Sequence, residues 1–209
     1  MPEEIRFTLR AHREAAGAPF EEVEMPTNLV PTKLYLTNGV GVHRERLQSF
    51  ELALRDAGIA TLNLVMVSSI YPPGAKIISR KRGERELEAG QIAFVVMSRG
   101  DSNEPHRMIA ASVGVAVPSD KRMYGYLSEH HAYGQTAKEA GDYAEDLAAS
   151  MLATTLGVEF DENQSWDEKR QLWKISNKIV VTRNITQSAM VGRDGRWTTV
   201  VAAAVLLFD

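Results

Sequence analysis

Apolar positions along the chain fall into runs of two periods, and these runs set out its elements. Arg46–Ala57 repeats its apolar residues at helical spacing and stops at Gly58, and Thr136–Leu156 does the same over a longer span. The longer helix opens on Thr136 with Glu139 three residues later, a capping-box pairing, and ends at Gly157. Its expected apolar face carries Ala140, Tyr143, Ala144, Leu147, Met151 and Thr155. The other runs are rich in β-branched residues and predict strands at Lys33–Leu36, Leu62–Ile70, Ile92–Met97, Ile109–Val117, Met123–His131, Ile175–Met190 and Thr198–Phe208. Ile109–Val117 and the last strand lack alternating polar residues, so both should be buried on both faces.

Turn chemistry punctuates these runs. Asn38-Gly39-Val40-Gly41 reads as a glycine turn, Arg99–Arg107 as a hairpin loop, and Asp194-Gly195 as a second hairpin turn between strands. Ser79–Gly90 reads as a solvated loop or short helix. Residues 1–32, charged and interrupted by prolines, read as an arm before a single domain over 33–209. Strands outnumber helices and the hairpins imply mostly antiparallel pairing. The fold class is therefore α+β, with layered sheets covered by two helices.

The most informative stretch is Asn63-Leu-Val-Met-Val-Ser-Ser-Ile-Tyr-Pro-Pro-Gly-Ala-Lys76. Two adjacent hydroxyls, Ser68 and Ser69, end an apolar strand, and Pro72-Pro73-Gly74 stops regular structure straight afterwards. The Ser69 hydroxyl lies close enough to the preceding carbonyl to attack it. A strand end capped by serine hydroxyls is the plainer reading of the spacing alone.

Composition narrows the chemistry. With 209 residues, 44% hydrophobic, 24% charged and a net charge of -3, the chain has an ordinary globular balance that does not suit nucleic acid or an anionic membrane as a partner. It has no cysteine, which removes disulfides and thiolate chemistry. No signal-peptide core precedes the first strand, and the longest apolar run, Val200–Phe208, is too short to span a bilayer; a soluble, cytoplasmic protein is expected. His130-His131 lacks metal-ligand spacing, and Gly39 and Gly41 complete no phosphate-binding fingerprint, so neither a metal nor a nucleotide is assigned.

Three polar residues stand out besides the serines. Glu129 shares a strand face with Gly125 and Leu127, which would point its carboxylate into partly buried space, where desolvation favours a proton donor; emergence into solvent at a strand end is the equal alternative. Glu51 falls within the stripe Leu47, Phe50, Glu51, Leu54, with no cation expected locally on that face, so a cationic ligand could meet it. Its alternative is a stripe edge reaching water. Asn63 could donate to a carbonyl gaining negative charge near the serines, or simply open the strand as a turn residue.

Taken together, these residues resemble the pyruvoyl-dependent arginine decarboxylase family. The resemblance is carried by the V-S-S-I-x-P-P-x-A element at Val67–Ala75, then by Gly125-Tyr-Leu-Ser-Glu129 in the same order, with support from Phe50…Ala57-Gly-Ile59, Val113–Pro118 and Ala202–Phe208. It spans roughly residues 33 to 209.

The resemblance implies an αββα sandwich with mostly antiparallel sheets, assembled as a trimer of αβ units or a dimer of trimers with sites between neighbouring subunits. It implies self-cleavage between Ser68 and Ser69, giving a β chain of residues 1–68 and an α chain of residues 69–209 that begins with a pyruvoyl group made from Ser69. L-Arginine would then form a Schiff base on that group and lose CO2 to give agmatine. In this pattern Glu129 is the proton donor, Asn63 stabilises the oxyanion, and Glu51 meets the substrate guanidinium with Leu47 and Leu54 along its aliphatic stem. The family residue expected at position 51 is aspartate, so this chain departs by one methylene. That departure leaves room for the same chemistry on another amino acid. A non-catalytic trimeric assembly protein with the same fold is the reading from a different class.

Overall fold

The structure is a computed structural model that describes residues 29–157 and 178–208. Residues 1–28 of the expected arm and the first residues, 175–177, of the expected strand Ile175–Met190 lie outside the described residues.

Two sheets pack face to face. In the first, the order is β2 (Asn63–Met66), β5 (Ile92–Ser102), β9 (Trp197–Leu207), β1 (Lys33–His43) and β4 (Lys76–Ile78). The second runs β3 (Ile70–Tyr71), β7 (Gly125–Tyr133), β6 (Met108–Pro118) and β8 (Ile179–Met190). Among the described residues only β1–β4 and β2–β5 pair in parallel; the other ladders are antiparallel. Helix α1 (Arg46–Asp56) covers the first sheet and α3 (Ala137–Thr155) the second, giving the expected α+β class with αββα layering.

Burial explains why β9 has no polar alternation. Val200, Ala202, Ala204 and Leu206 enter the core between the sheets, while Val201, Ala203, Val205 and Leu207 pack under α1. Strand β6 is likewise buried, with Ile109, Val113 and Val115 in the inter-sheet core and Ala116 under α3.

Several local readings give way to tertiary packing. Gly39 and Gly41 form no turn: β1 runs straight through them and pairs with β9 along its whole length. They are glycine because α1 lies directly on that strand. A Cβ at Gly39 would sit 2.3 Å from the Ala53 carbonyl oxygen, and one at Gly41 would sit 2.1 Å from that of Ser49. Gly41→Ala is therefore expected to lose about 3 kcal/mol, the upper end of overpacking costs, because rigid backbone must move. A urea midpoint unchanged from that of the parent would contradict this account.

The two expected hairpins, at Arg99–Arg107 and Asp194-Gly195, are also corrected. In each case the flanking strands belong to different sheets, β5 and β6 in one case and β8 and β9 in the other. The chain passes between layers there instead of folding back on its neighbour. The hydrogen-bonded hairpin is β6–β7, which pairs Ile109 with Tyr133 through Ala116 with Tyr126.

The capping box of α3 forms as expected, with Thr136 and Glu139 bonding each other's backbone. Its buried face, however, is Ala140, Gly141, Ala144, Glu145, Ala148, Ala149, Leu152 and Ala153, while Tyr143 and Leu147 are exposed. Small residues win that face because they let the helix approach the sheet closely. Glu145 enters with its charge met by Asn184 Nδ2, which donates to Oε2 over 3.0 Å. The Ser79–Gly90 segment forms a single helical turn, α2 (Arg80–Gly83), followed by a 3-10 turn at Glu84–Glu86.

Candidate active site

The expected strand Leu62–Ile70 is split, and the split creates the site. Strand β2 pairs with β5 as far as Met66, and one further bond, from Val67 N–H to the Val95 carbonyl (3.0 Å), closes its ladder. The chain then leaves the first sheet. Leu127 N–H donates to the Ser69 carbonyl (2.9 Å), and Ile70 and Tyr71 pair with Tyr126 and Gly125 of β7 in the second sheet. Ser68 and Ser69 thus occupy the crossing between two sheets, at the open edge of the sandwich.

The turn beyond β3 holds that crossing in place. The Tyr71 hydroxyl donates to the Ala75 carbonyl, and Ala75 N–H donates to the Pro72 carbonyl (3.2 Å), which fixes the Pro72–Ala75 turn. Burial raises the Tyr71 phenol above its ordinary range, so the group remains a neutral donor.

Ser69 Oγ donates to Glu129 Oε2 at 2.8 Å. This is the pairing of a candidate nucleophile with a proton acceptor within hydrogen-bond reach. Register explains how residues 60 positions apart meet. Glu129 lies opposite Val113 on β6, on the same face as the buried Leu127. β3 is too short to flank β7 beyond Tyr126, so this face emerges at the rim and Glu129 is exposed. Of the two alternatives open from the sequence, emergence into solvent is the one seen in the single chain.

Asn63 is placed differently from the oxyanion role. Its Nδ2 donates to the Gly90 carbonyl (2.7 Å), and its backbone N–H to the Gln91 carbonyl (2.8 Å). It is separated from Ser68 by five residues of extended chain, about 16 Å at strand rise, too far for its amide to reach the serine carbonyl of the same chain. The turn that ends the Ser79–Gly90 segment is what holds its side chain.

Glu51 has a local partner after all. Arg55, one helical turn later, donates from Nε to Glu51 Oε1 at 2.5 Å, with both side chains partly exposed. Helix α1 buries Ser49 and Ala53, so the stripe through Leu47 and Glu51 lies beside its packed face. Leu47 is 76% exposed, whereas Leu54 packs against the α1 side of the core. These three residues sit on the outside of the first sheet, apart from the serine crossing.

A cluster not singled out by the sequence pattern steadies the N-terminal half of α1. Arg46 donates to both carboxylate oxygens of Asp101 (2.6 and 3.1 Å) and lies over the Trp197 ring, while the Arg99 guanidinium stacks 3.9 Å from the Phe50 ring centre. No linear motif joins these residues. They are brought together by β5 and β9 running under the helix. Among the described residues, no group of three or more His, Asp or Glu side chains is arranged to hold a metal, and no helix is long and apolar enough to cross a membrane.

The class defined by fold and site is a two-sheet sandwich with a serine–carboxylate pair at the point where the chain changes sheets. The chain belongs to the pyruvoyl-dependent arginine decarboxylase family, whose model matches residues 33–209. It is 61% identical over 180 residues to a pyruvoyl-dependent arginine decarboxylase of Nitrosopumilus maritimus, covering 86% of this chain and 98% of that protein. It is also 61% identical over 178 residues to a probable pyruvoyl-dependent arginine decarboxylase of Chloroherpeton thalassium (85% of this chain, 98% of that protein). A pyruvoyl-dependent arginine decarboxylase 2 of Methanosarcina mazei is 52% identical over 179 residues, 86% of this chain and 98% of that one.

The family depends on a pyruvoyl group, and the residues at the crossing fit its formation. A serine hydroxyl is already paired with an acceptor for its proton, and its own carbonyl is held by Leu127 N–H.

Proposed function

We propose that the chain cleaves itself between Ser68 and Ser69, converts Ser69 to a pyruvoyl group, and decarboxylates L-arginine to agmatine and CO2 in the cytoplasm. The observation that carries this reading is the 2.8 Å hydrogen bond from Ser69 Oγ to Glu129. Glu129 takes the hydroxyl proton during maturation, then holds a proton for delivery to the substrate α-carbon. A pyruvoyl group supplies the electron sink for the pair left when carbon dioxide departs. The Leu127 N–H fixes the carbonyl of residue 69, next to the reacting centre.

Substrate recognition falls to α1. Glu51 offers a carboxylate to a guanidinium, with Leu47 and Leu54 beside the aliphatic stem. Asn63 cannot reach its own Ser68, so its oxyanion role requires the site of a neighbouring copy. Exposed apolar side chains along the serine edge, Val65, Met66, Ile70 and Ile92, support an assembly that covers this rim. We read it as a trimer or a dimer of trimers, with sites between subunits and residues 1–32 as an arm outside the decarboxylase domain of 33–209.

Glu51→Gln is expected to raise KM for arginine ten- to a hundredfold with a smaller change in kcat, as loss of one charge-assisted hydrogen bond costs about 1.5–3 kcal/mol. An unchanged KM would remove Glu51 from the substrate site. The Glu51–Arg55 pair favours a second reading, the same chemistry on another amino acid, because a guanidinium must compete with Arg55. A panel of arginine, lysine, ornithine and aspartate separates the two. Turnover confined to aspartate would rule out the assigned role of Glu51.

The maturation itself is tested by intact mass under denaturing conditions. Fragments of residues 1–68 and 69–209 are expected, the second about 17 Da lighter than the same fragment beginning with serine, the ammonia lost on forming pyruvoyl. A full-length mass persisting after long incubation would instead favour the non-catalytic assembly protein.

A further inference from the structure

We infer that the main-chain N–H of Ile70 is an oxyanion donor for self-cleavage supplied within the same chain, acting on the carbonyl oxygen of Ser68. The inference rests on the self-processing reading above. Ile70 N–H donates to the Ser68 carbonyl at 2.9 Å, a bond that spans a single residue. Among the described residues His106 alone has a positive φ outside glycine, so the turn centred on Ser69 is of the inverse γ kind.

The sheet crossing forces this turn. The ladder of the first sheet ends at Val67 N–H, and the second sheet takes the Ser69 carbonyl. Because Ser69 and Leu127 form a bonded position of the antiparallel ladder, Ile70 opposite Tyr126 is the next, unbonded position, where N–H points away from β7. That N–H is therefore available to a carbonyl between the two ladders, and the one it takes is that of Ser68. Asn63, the side-chain donor expected from the sequence, is engaged with Gly90 and out of reach within the chain. The carbonyl under attack thus already carries a donor, and the attacking hydroxyl already carries an acceptor.

The step balances without any outside reagent. Ser69 Oγ gives its proton to Glu129 Oε2 and bonds to the Ser68 carbonyl carbon, while the π pair moves onto the Ser68 oxygen facing Ile70 N–H. The hydrogen bond strengthens as that charge develops. Collapse breaks the bond from carbon to Ser69 nitrogen, and the nitrogen takes the proton from Glu129. The products are an ester between the Ser68 carbonyl and Ser69 Oγ and a free amine on Ser69.

The test is Ile70→Pro, which removes this N–H, with Ile70→Val as the variant that keeps it. Cleavage of freshly expressed chain is followed by mass, with and without hydroxylamine, which opens an ester as soon as it forms. Removing one oxyanion donor in other enzymes slows reaction about 10²–10³-fold; for a bent γ-turn bond at least a tenfold slowing is expected for Ile70→Pro, undiminished by hydroxylamine, with Ile70→Val at the parent rate. Cleavage of Ile70→Pro within threefold of the parent would overturn the inference, as would full rescue by hydroxylamine, since the defect would then lie after ester formation. If Ile70→Pro fails to fold, a chain carrying the α-hydroxy acid of isoleucine at position 70 decides, because it loses the N–H and keeps the side chain. An intact parent chain would overturn the self-processing reading itself, a result distinct from a parent that cleaves alongside an equally fast Ile70→Pro.

Discussion

Ser69→Ala is expected to yield a single uncleaved chain of 209 residues with no measurable release of carbon dioxide from arginine. In the proposed cleavage the Ser69 hydroxyl is the attacking atom, and the chain has no cysteine to replace it. Ser68→Ala is expected to cleave normally, because position 68 contributes its carbonyl and not its hydroxyl. The pair of variants is informative as a pair. Adjacent serines look alike in the sequence, but only Ser69 is bonded to the Glu129 carboxylate. Self-cleavage of Ser69→Ala, measured by intact mass, would overturn the assignment of the nucleophile.

Glu129→Gln is expected to slow two processes, each by about 10²-fold or more, the usual loss when a general base or acid is removed. Glutamine preserves the side-chain length and can still accept the Ser69 hydrogen bond, but it cannot carry the proton away. Precursor cleavage should therefore slow first. Any fraction that does mature should turn over arginine slowly, because the proton for the α-carbon is missing. From the sequence, Glu129 is expected to act as a proton donor in turnover alone. The 2.8 Å contact with Ser69 is the reason for the proposal that Glu129 also acts in maturation. Cleavage at the parent rate together with slow turnover would confine Glu129 to the second process, and agmatine formed at the parent rate would remove it from both.

The elements legible from the sequence are those governed by neighbours along the chain. The cap of α3 at Thr136 and Glu139 forms because both partners lie within one turn. The stop at Gly58 follows from a left-handed backbone conformation at φ 72°. Two-sided burial of β6 and β9 follows from their unbroken apolar runs. Readings failed where the deciding contact came from another layer. Gly39 and Gly41 look like a turn until α1 is seen resting on them, and Tyr143 and Leu147 look like core until the alanine face of α3 is seen against the sheet. Likewise, Asp194-Gly195 has the composition of a hairpin turn, but its strands join different sheets.

At the site, residue type and local order were enough to set which chemistry is available. They supplied the serine pair at the end of an apolar strand, the prolines and glycine that stop that strand, the carboxylates at 51 and 129, and the absence of any thiol. Which groups meet was decided by packing alone. The folded sandwich brought Glu129 to Ser69 and Asn63 to Gly90, and turned Ile70 N–H onto the Ser68 carbonyl, whereas the Glu51–Arg55 pair is set within one turn of α1. Strand register and the choice of sheet set the distances between residues far apart in the chain. Both are fixed by burying apolar faces across the whole sandwich, not by any short motif.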